Sequence, residues 1–295
     1  MKNLIKMEFK KAIFSKFFLL GLALLLLFSI LSGIYMVESR VDYNPKIITT
    51  DEYYFENGKF VMNPDLPLFG FFNSWVGGEA ISVFQVIFYY LLPVASVIPF
   101  AWSYYTERKS GYLKNITSRT DKKKYFIAKT IAVFTSGALA VLIPLIVNIA
   151  IVSAFVPTIT PFAGYTFYNY VYIGDMWVDL YYSNPSLYVA LYVLLDALYG
   201  GIFALLSFAT AFYVKNIFAV MFFPFLSVVA VGYIRDLSIN YTTSVVFYEY
   251  SPITYLHSLM YGGQRVWWVI WGLALILLLF SLCTIFIRGF RDEIF

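Results

Sequence analysis

Residues 17–37 read FFLLGLALLLLFSILSGIYMV, an apolar run long enough to cross a membrane as one helix. A helix needs about 20 such residues to cover roughly 30 Å of hydrocarbon. Five further runs of this kind follow along the chain, at residues 81–103, 126–154, 187–214, 216–234 and 266–287. The sequence therefore predicts an all-α membrane protein with six transmembrane helices in a single domain over residues 1–295.

The composition agrees with this class. Hydrophobic residues make up 61% of the chain and charged residues 13%, outside the usual balance of soluble domains. The single cysteine, Cys283, lies in the last apolar run, which excludes a disulfide framework and a cysteine-based metal motif. Lys215 and Asn216 separate the fourth run from the fifth, and the two runs together are too long for one crossing.

Lysine and arginine are distributed unequally between the predicted loops. Positive charge is retained on the cytoplasmic side of a membrane. With the N-terminus inside, sixteen of these residues are cytoplasmic, and five lie outside: Arg40, Lys46, Lys59, Arg235 and Arg265. We therefore expect both termini in the cytoplasm and outer loops at residues 38–80, 155–186 and 235–265.

The outer loops are rich in aromatic residues, as in EYYFENGKFVMNPDLPLFGFFNSW at 52–75 and PFAGYTFYNYVYIGDMWVDLYY at 161–182. Two interpretations fit this pattern. The rings can form an aromatic belt at the level of the lipid headgroups. Alternatively, the loops form an outer cap or contact an amphipathic substrate.

Residues 1–16, MKNLIKMEFKKAIFSK, place Lys2, Lys6 and Lys10 at a spacing of four, with apolar residues available to another face. This pattern is typical of a helix that lies in the membrane interface. A positively charged anchor is the alternative.

The cytoplasmic loop at 104–125 carries the most informative pattern. From Glu107 to Lys129 the chain reads ERKSGYLKNITSRTDKKKYFIAK, with eight basic and two acidic residues. Gly111 predicts a break between two stretches compatible with helix. A loop that only reported topology would need positive charge but no particular residue order.

This order resembles the permease subunits of type 2 ABC transporters, an exporter class with six spans and a coupling helix after the second span. The resemblance covers the span count, the inside termini, the basic N-terminal segment, Glu107-Arg108-x-x-Gly111, Ser118-Arg119 and Lys129. Family members often have a proline where this chain has Thr117, and the first outer loop is longer than expected. The first difference weakens the exact placement of the coupling helix, and the second suggests specialised outer features.

The resemblance implies that residues 107–122 dock onto a separate ATPase subunit and transmit its closure to the spans. The coupling residues would then be Glu107, Arg108, Gly111, Tyr112, Leu113, Lys114, Ser118 and Arg119. It also implies a second permease subunit, identical or homologous, and a multi-pass location in a bacterial plasma membrane. In this family, short outer helices dip into the membrane before the sixth span. Ser251-Pro252 can begin such a helix, although an ordinary loop fits equally.

The chain has no recognisable catalytic site of its own. Its only Gly-Lys pair, Gly58-Lys59, lacks the other residues of a phosphate-binding loop, and its only histidine, His257, cannot form a histidine-pair metal site. We therefore expect no enzyme activity, no cofactor on this chain and no nucleic-acid partner, with ATP and magnesium on the partner ATPase.

Asp196 lies inside the fourth run, where an ionisable group is a candidate for function. The alternative is a structural aspartate that is protonated or bonded to Tyr192 or Tyr199. Glycine and alanine residues on the same run, including Gly200 and Ala204, have the spacing that lets helices approach closely.

Two function classes remain open on the sequence. One is a permease that exports an amphipathic or hydrophobic substrate, peptide or lipid-like, with energy from a separate ATPase. The other is a membrane scaffold or sensor that binds a partner without transport. Dependence on an ATPase subunit distinguishes them.

Overall fold

The computed structural model describes residues 1–42, 53–56, 59–62, 70–161, 171, 173–241, 248–258 and 264–291. Within these residues the fold is almost entirely helical. Its helices are α1 (Lys2–Ile13), α2 (Lys16–Asp42), α3 (Val83–Ala95), α4 (Ser103–Lys109), α5 (Tyr112–Thr117), α6 (Lys122–Phe155), α7 (Val178–Ser183), α8 (Pro185–Thr210), α9 (Ile217–Tyr241), α10 (Pro252–Tyr255) and α11 (Trp267–Arg291). A small antiparallel hairpin between α2 and α3 joins β1 (Tyr53–Glu56) to β2 (Lys59–Met62).

Five of the described helices, α2, α6, α8, α9 and α11, are long and apolar enough to cross a membrane. This confirms the prediction of a helical membrane protein. The fourth and fifth predicted spans are separate helices, because α8 ends at Thr210 and α9 begins at Ile217. The side chain of Asn216 accepts a hydrogen bond from the backbone of Phe218 at 2.9 Å, which satisfies a donor at the start of α9.

The region of the second predicted span, 81–103, differs from one continuous helix. Helix α3 ends at Ala95, residues 96–102 form consecutive turns, and α4 follows. Pro99 has no backbone N–H, and its ring disfavours a regular helix across this segment. With 13 residues, α3 is shorter than a helix that spans alone, so the sixth span stays a prediction.

Helix α8 lies at the centre of the bundle. In its most apolar stretch 78% of the residues are buried, against 17% in α9. The closest approach is to α6, where a Cβ added at Gly137 would lie 2.8 Å from the carbonyl oxygen of Gly200 and 2.6 Å from Cβ of Ala204. Small residues at this contact allow the two backbones to meet.

The short helices lie at two opposite ends of the bundle. At one end, α1, α4 and α5 pack beside the start of α6. At the other end, the backbone of Phe71 donates to Pro157 at 2.9 Å, and that of Ser258 donates to Gly77 at 2.8 Å. The helix start predicted at Ser251-Pro252 is observed, since α10 begins at Pro252. Much of the aromatic loop sequence lies outside the described residues.

Candidate functional site

A buried lysine holds together the end of the molecule that contains the predicted coupling loop. Nζ of Lys129, in α6, lies 2.8 Å from Oε1 of Glu107, in α4. The other carboxylate oxygen of Glu107 accepts a hydrogen bond from the hydroxyl of Tyr125. The Lys129 side chain is fully buried, and its ammonium group lies 4.2 Å from the ring centre of Phe100. Glu107 is therefore anchored to the first turns of α6.

The same lysine also contacts α1. Nζ of Lys129 lies 3.2 Å from Oε2 of Glu8, and both side chains are fully buried. Oε1 of Glu8 accepts a hydrogen bond from Nζ of Lys11 at 2.9 Å. Unpaired charges in this position would be costly, so the pairing fixes how α1, α4 and α6 sit together. We call Glu8, Lys11, Glu107, Tyr125 and Lys129 the junction cluster.

Helix α5 is connected to the junction cluster by Tyr112. The chain turns between α4 and α5 at Gly111, whose φ of 72° lies in the left-handed region that glycine adopts without strain. The Tyr112 hydroxyl accepts a hydrogen bond from Nζ of Lys11 at 3.1 Å. Burial alone would lower the pKa of Lys11, but its bonds to Glu8 and Tyr112 raise that pKa above its usual value.

The other predicted coupling residues fall into two groups. Leu113 is buried in the core between α5 and the bundle. Four polar side chains are exposed, and the hydroxyl of Ser118 also donates to the carbonyl oxygen of Asn115 at 2.9 Å. These exposed residues are Arg108, Lys114, Ser118 and Arg119. The structure thus separates the residues that anchor the loop from those that are exposed.

A cleft of about 800 Å³ lies between the start of α1 and the α5 segment. Met1, Leu4 and Met7 line it from α1, and Tyr112 and Arg119 line it from the loop. The cleft combines apolar side chains with a cation at its rim. Such a surface is more favourably covered by another protein than exposed to water. Two segments that are distant in the sequence thus form one surface.

Asp196 lies in the buried centre of the bundle. Its Oδ2 accepts a hydrogen bond from the hydroxyl of Tyr89, in α3, at 3.0 Å. Its Oδ1 has no hydrogen-bond partner among the described residues. The suggestion that Tyr192 or Tyr199 donates to it is wrong, since the Tyr199 hydroxyl donates instead to the carbonyl oxygen of Ile270 at 2.6 Å and Tyr192 makes no such bond. The donor, Tyr89, lies in α3, and the sequence does not indicate that α3 packs against α8.

A polar layer covers the opposite end of the bundle. The segment just before α3 is buried, and the Glu79 carboxylate there accepts hydrogen bonds from the hydroxyls of Ser32, at 2.8 Å, and Ser82. Burial raises the pKa of Glu79, and these bonds offset only part of that effect. Oδ1 of Asn148, in α6, accepts from the backbone of Val76 at 2.8 Å.

An internal ion pair closes this layer. Nη2 of Arg265 lies 3.0 Å from Oδ2 of Asp175, and both side chains are almost fully buried. Nη1 of Arg265 donates to the carbonyl oxygens of His257, at 3.1 Å, and Ser258, at 2.9 Å. The segments before α7 and before α11 are therefore held to each other.

The residues missed in the sequence include Glu8, Tyr89 and Asp175. Glu8 had a signal, because it is the single acidic residue among positions 1–16. Tyr89 and Asp175 had none, since their partners are far away along the chain.

The described residues contain no group of three or more His, Cys, Asp or Glu side chains that could hold a metal ion. No protein-family model, curated protein or solved structure matches the chain.

Proposed function

We propose that this chain is the permease subunit of an ATP-driven exporter of the type 2 ABC class. It would move an amphipathic or hydrophobic substrate, peptide or lipid-like, with energy from separate ATPase subunits that carry ATP and magnesium. The single observation that carries this proposal is the contact of Lys129 with both Glu107 and Glu8. It connects α1 to both ends of the segment from Glu107 to Lys129, whose residue order resembles that family.

The junction cluster suits the transmission of force. Glu107 lies in α4, just after the turns at residues 96–102, and Lys129 lies near the start of the 34-residue helix α6. A displacement of α4 and α5 by a bound protein would be passed to α6 through short, buried, charge-assisted contacts. A loop joined to the bundle only by solvated side chains would absorb such a displacement.

The exposed residues of the loop suit the docking of a protein. Arg108, Lys114 and Arg119 are exposed, and the cleft beside them contains apolar side chains from α1. We propose that an ATPase subunit with a complementary acidic surface covers this cleft. A second permease subunit completes the complex, and the broken helix pair α3–α4 serves as the sixth span in a bacterial plasma membrane.

The first experiment is affinity purification of the full chain in mild detergent, with identification of co-purifying proteins and an ATPase assay. Lys114→Ala combined with Arg119→Ala removes two exposed cations of the loop and should release the ATPase subunit. Arg119 lines the cleft, and Lys114 is next to the lining residue Asn115. The matched control, Lys16→Ala combined with Lys124→Ala, removes two exposed cations that do not line the cleft. It should retain the ATPase subunit.

A second variant separates docking from transmission. Glu107→Gln keeps the size of the side chain but removes the charge that faces Lys129. It should keep the ATPase subunit bound and reduce stimulation of ATP hydrolysis by substrate. If the wild-type chain carries no ATPase under several gentle conditions and a different partner co-purifies instead, the permease assignment fails and a scaffold or sensor role replaces it.

A further inference from the structure

A small cleft opens on the side of the bundle between α3, α9 and α10. Its volume is about 210 Å³. It lies near the C-terminal end of α9, whose apolar stretch covers Ile217–Ser238. Because α9 is long enough to cross a membrane, its last turns lie near a headgroup layer whichever way the chain is inserted. The residues that line the cleft are Tyr90, Val229, Gly232, Tyr233, Arg235 and Asp236, with Ser251, Ile253 and Thr254.

Two charged residues line the cleft, Arg235 and Asp236, and the buried Glu249 also pairs with Arg235. Arg235 donates from Nε and Nη2 to Oε2 of Glu249, at 3.1 and 2.8 Å, and from Nη1 to Oδ1 of Asp236 at 2.8 Å. Among the described residues, one guanidinium group thus faces two carboxylates. Glu249 is fully buried, whereas the Asp236 side chain is 64% exposed. The available charge is therefore that of Asp236, which favours a cation and disfavours a phosphate.

The remaining lining suits an amphipathic cation. Tyr90 and Tyr233, both exposed, bring aromatic rings to the same cleft as Asp236, and rings of this kind attract cations. Ser251 and Thr254 bring hydroxyl groups to the same cleft. Along α9, Leu226 and Val229 are exposed apolar residues on the approach to it.

We propose that this cleft binds the primary ammonium group of a membrane phospholipid. An ammonium group with three N–H donors can be shared between the Asp236 carboxylate and the neighbouring hydroxyls, whereas a quaternary amine has no N–H to donate. The volume suits a headgroup, with the acyl chains lying along the exposed residues of α9. This site is independent of the proposed transport function, because it requires only that α9 crosses a membrane.

The test measures which lipids the purified full-length chain retains. The protein is placed in nanodiscs that contain equal amounts of phosphatidylethanolamine, phosphatidylcholine and phosphatidylglycerol with identical acyl chains. It is then extracted gently, and the bound lipids are counted by native mass spectrometry. Wild type should retain phosphatidylethanolamine in preference. Asp236→Asn should lower this preference about tenfold, since a hydrogen bond to a charged group is lost.

A second pair of variants tests the cleft without changing any charge. A Cβ at Gly232 would meet only Oγ of Ser251, at 3.5 Å, so Gly232→Ala should be tolerated. Gly232→Leu places a larger side chain in the cleft and should abolish the preference. Asp179→Asn, which removes an exposed carboxylate from α7, is the matched charge control and should leave the preference unchanged.

Any of four results would overturn the proposal. One is equal retention of the three lipids by wild type, and another is a preference for phosphatidylglycerol, which would indicate an anion site. The third is an unchanged preference in both Asp236→Asn and Gly232→Leu. If dodecylamine binds at Asp236 while phosphatidylethanolamine does not compete with it, the occupant is a soluble amphipathic amine, and the lipid assignment is likewise wrong.

Discussion

Lys129 of α6 and Glu8 of α1 form an ion pair of 3.2 Å in which neither side chain reaches solvent. This contact shows how the N-terminal segment is held to the bundle. Glu8 is packed inside the bundle as part of a regular helix. Helix α1 is therefore a structural element that is fixed to α6.

Removal of Lys129 should destabilise the fold strongly. Lys129→Met removes the cation that the buried Glu8 and the largely buried Glu107 share, which is expected to cost about 3–5 kcal/mol. The measurement is unfolding by SDS in mixed micelles. Lys124→Met, at an exposed position, should change stability by less than about 0.5 kcal/mol. Adding Glu8→Gln to Lys129→Met should recover part of the loss, and an additive further loss would contradict the pairing.

The bond between Tyr89 and Asp196 predicts an asymmetry between two conservative variants. Tyr89→Phe leaves a buried carboxyl group without its donor and should cost about 1–3 kcal/mol. Asp196→Asn keeps an oxygen that accepts the bond and should cost less. Unfolding of both variants is compared with that of Tyr90→Phe, a neighbouring exposed tyrosine that should be close to neutral. A larger loss in Asp196→Asn would show that the carboxyl group has a further role.

The contact between α6 and α8 should not accept an extra methyl group. Gly137→Ala would bring a Cβ to 2.8 Å from the backbone oxygen of Gly200, so the helices must separate, at a cost of about 1–3 kcal/mol. Gly272→Ala, on α11, is the matched control, because a Cβ there has no neighbour within 4 Å. It should be neutral or slightly stabilising, since alanine favours a helix more than glycine does. Equal thermal stability of the two variants would contradict this packing.

His257 predicts a loss of stability in acid. Burial, followed by the charge of Arg265, lowers its pKa from 6.5 to about 3, and the backbone of Glu79 offsets only part of this. Below pH 6.5 the unfolded chain takes up a proton that the folded chain does not. The free energy of unfolding should therefore fall by about 1.4 kcal/mol per pH unit between pH 6.5 and 3.

The measurement compares His257→Gln with wild type at pH 7.5, 6.5, 5.5 and 4.5. Because the chain has one histidine, the difference between the two proteins isolates this group. Glu79, whose pKa is raised by burial, acts in the opposite direction as the pH falls, but it is present in both. Wild type should lose about 3 kcal/mol relative to the variant by pH 4.5. If the difference in unfolding free energy does not depend on pH, His257 takes up its proton as readily in the folded chain as in the unfolded chain.

The helical class could be predicted from the sequence, because few structures other than a helix accommodate apolar runs of this length. The break at residues 96–102 could not, since Pro93 and Pro99 predict kinks but do not say that regular helix ends at Ala95. Whether α3 and α4 together cross the membrane depends on packing against neighbouring helices, which the hydrophobic pattern of the sequence does not show.

The candidate site was predicted only in part. Glu107 and Lys129 stood out within one loop, and Gly111 marked the turn between two helices. Glu8, Tyr89 and Asp175 pair with residues far along the chain, and such pairings follow from packing rather than from local spacing. The sequence also gave no reason to join Asp236, Gly232 and Ser251 in one cleft.

The buried position of Glu8 has a consequence for biogenesis. A chain is synthesised from its N-terminus, so α1 leaves the ribosome long before the segment that contains Lys129 exists. Until α6 has been inserted, the buried Lys129 that pairs with Glu8 is not in place, and α1 stays at the membrane surface. Packing of α1 against α6 is therefore a late step of maturation, which follows the assembly of the first part of the bundle.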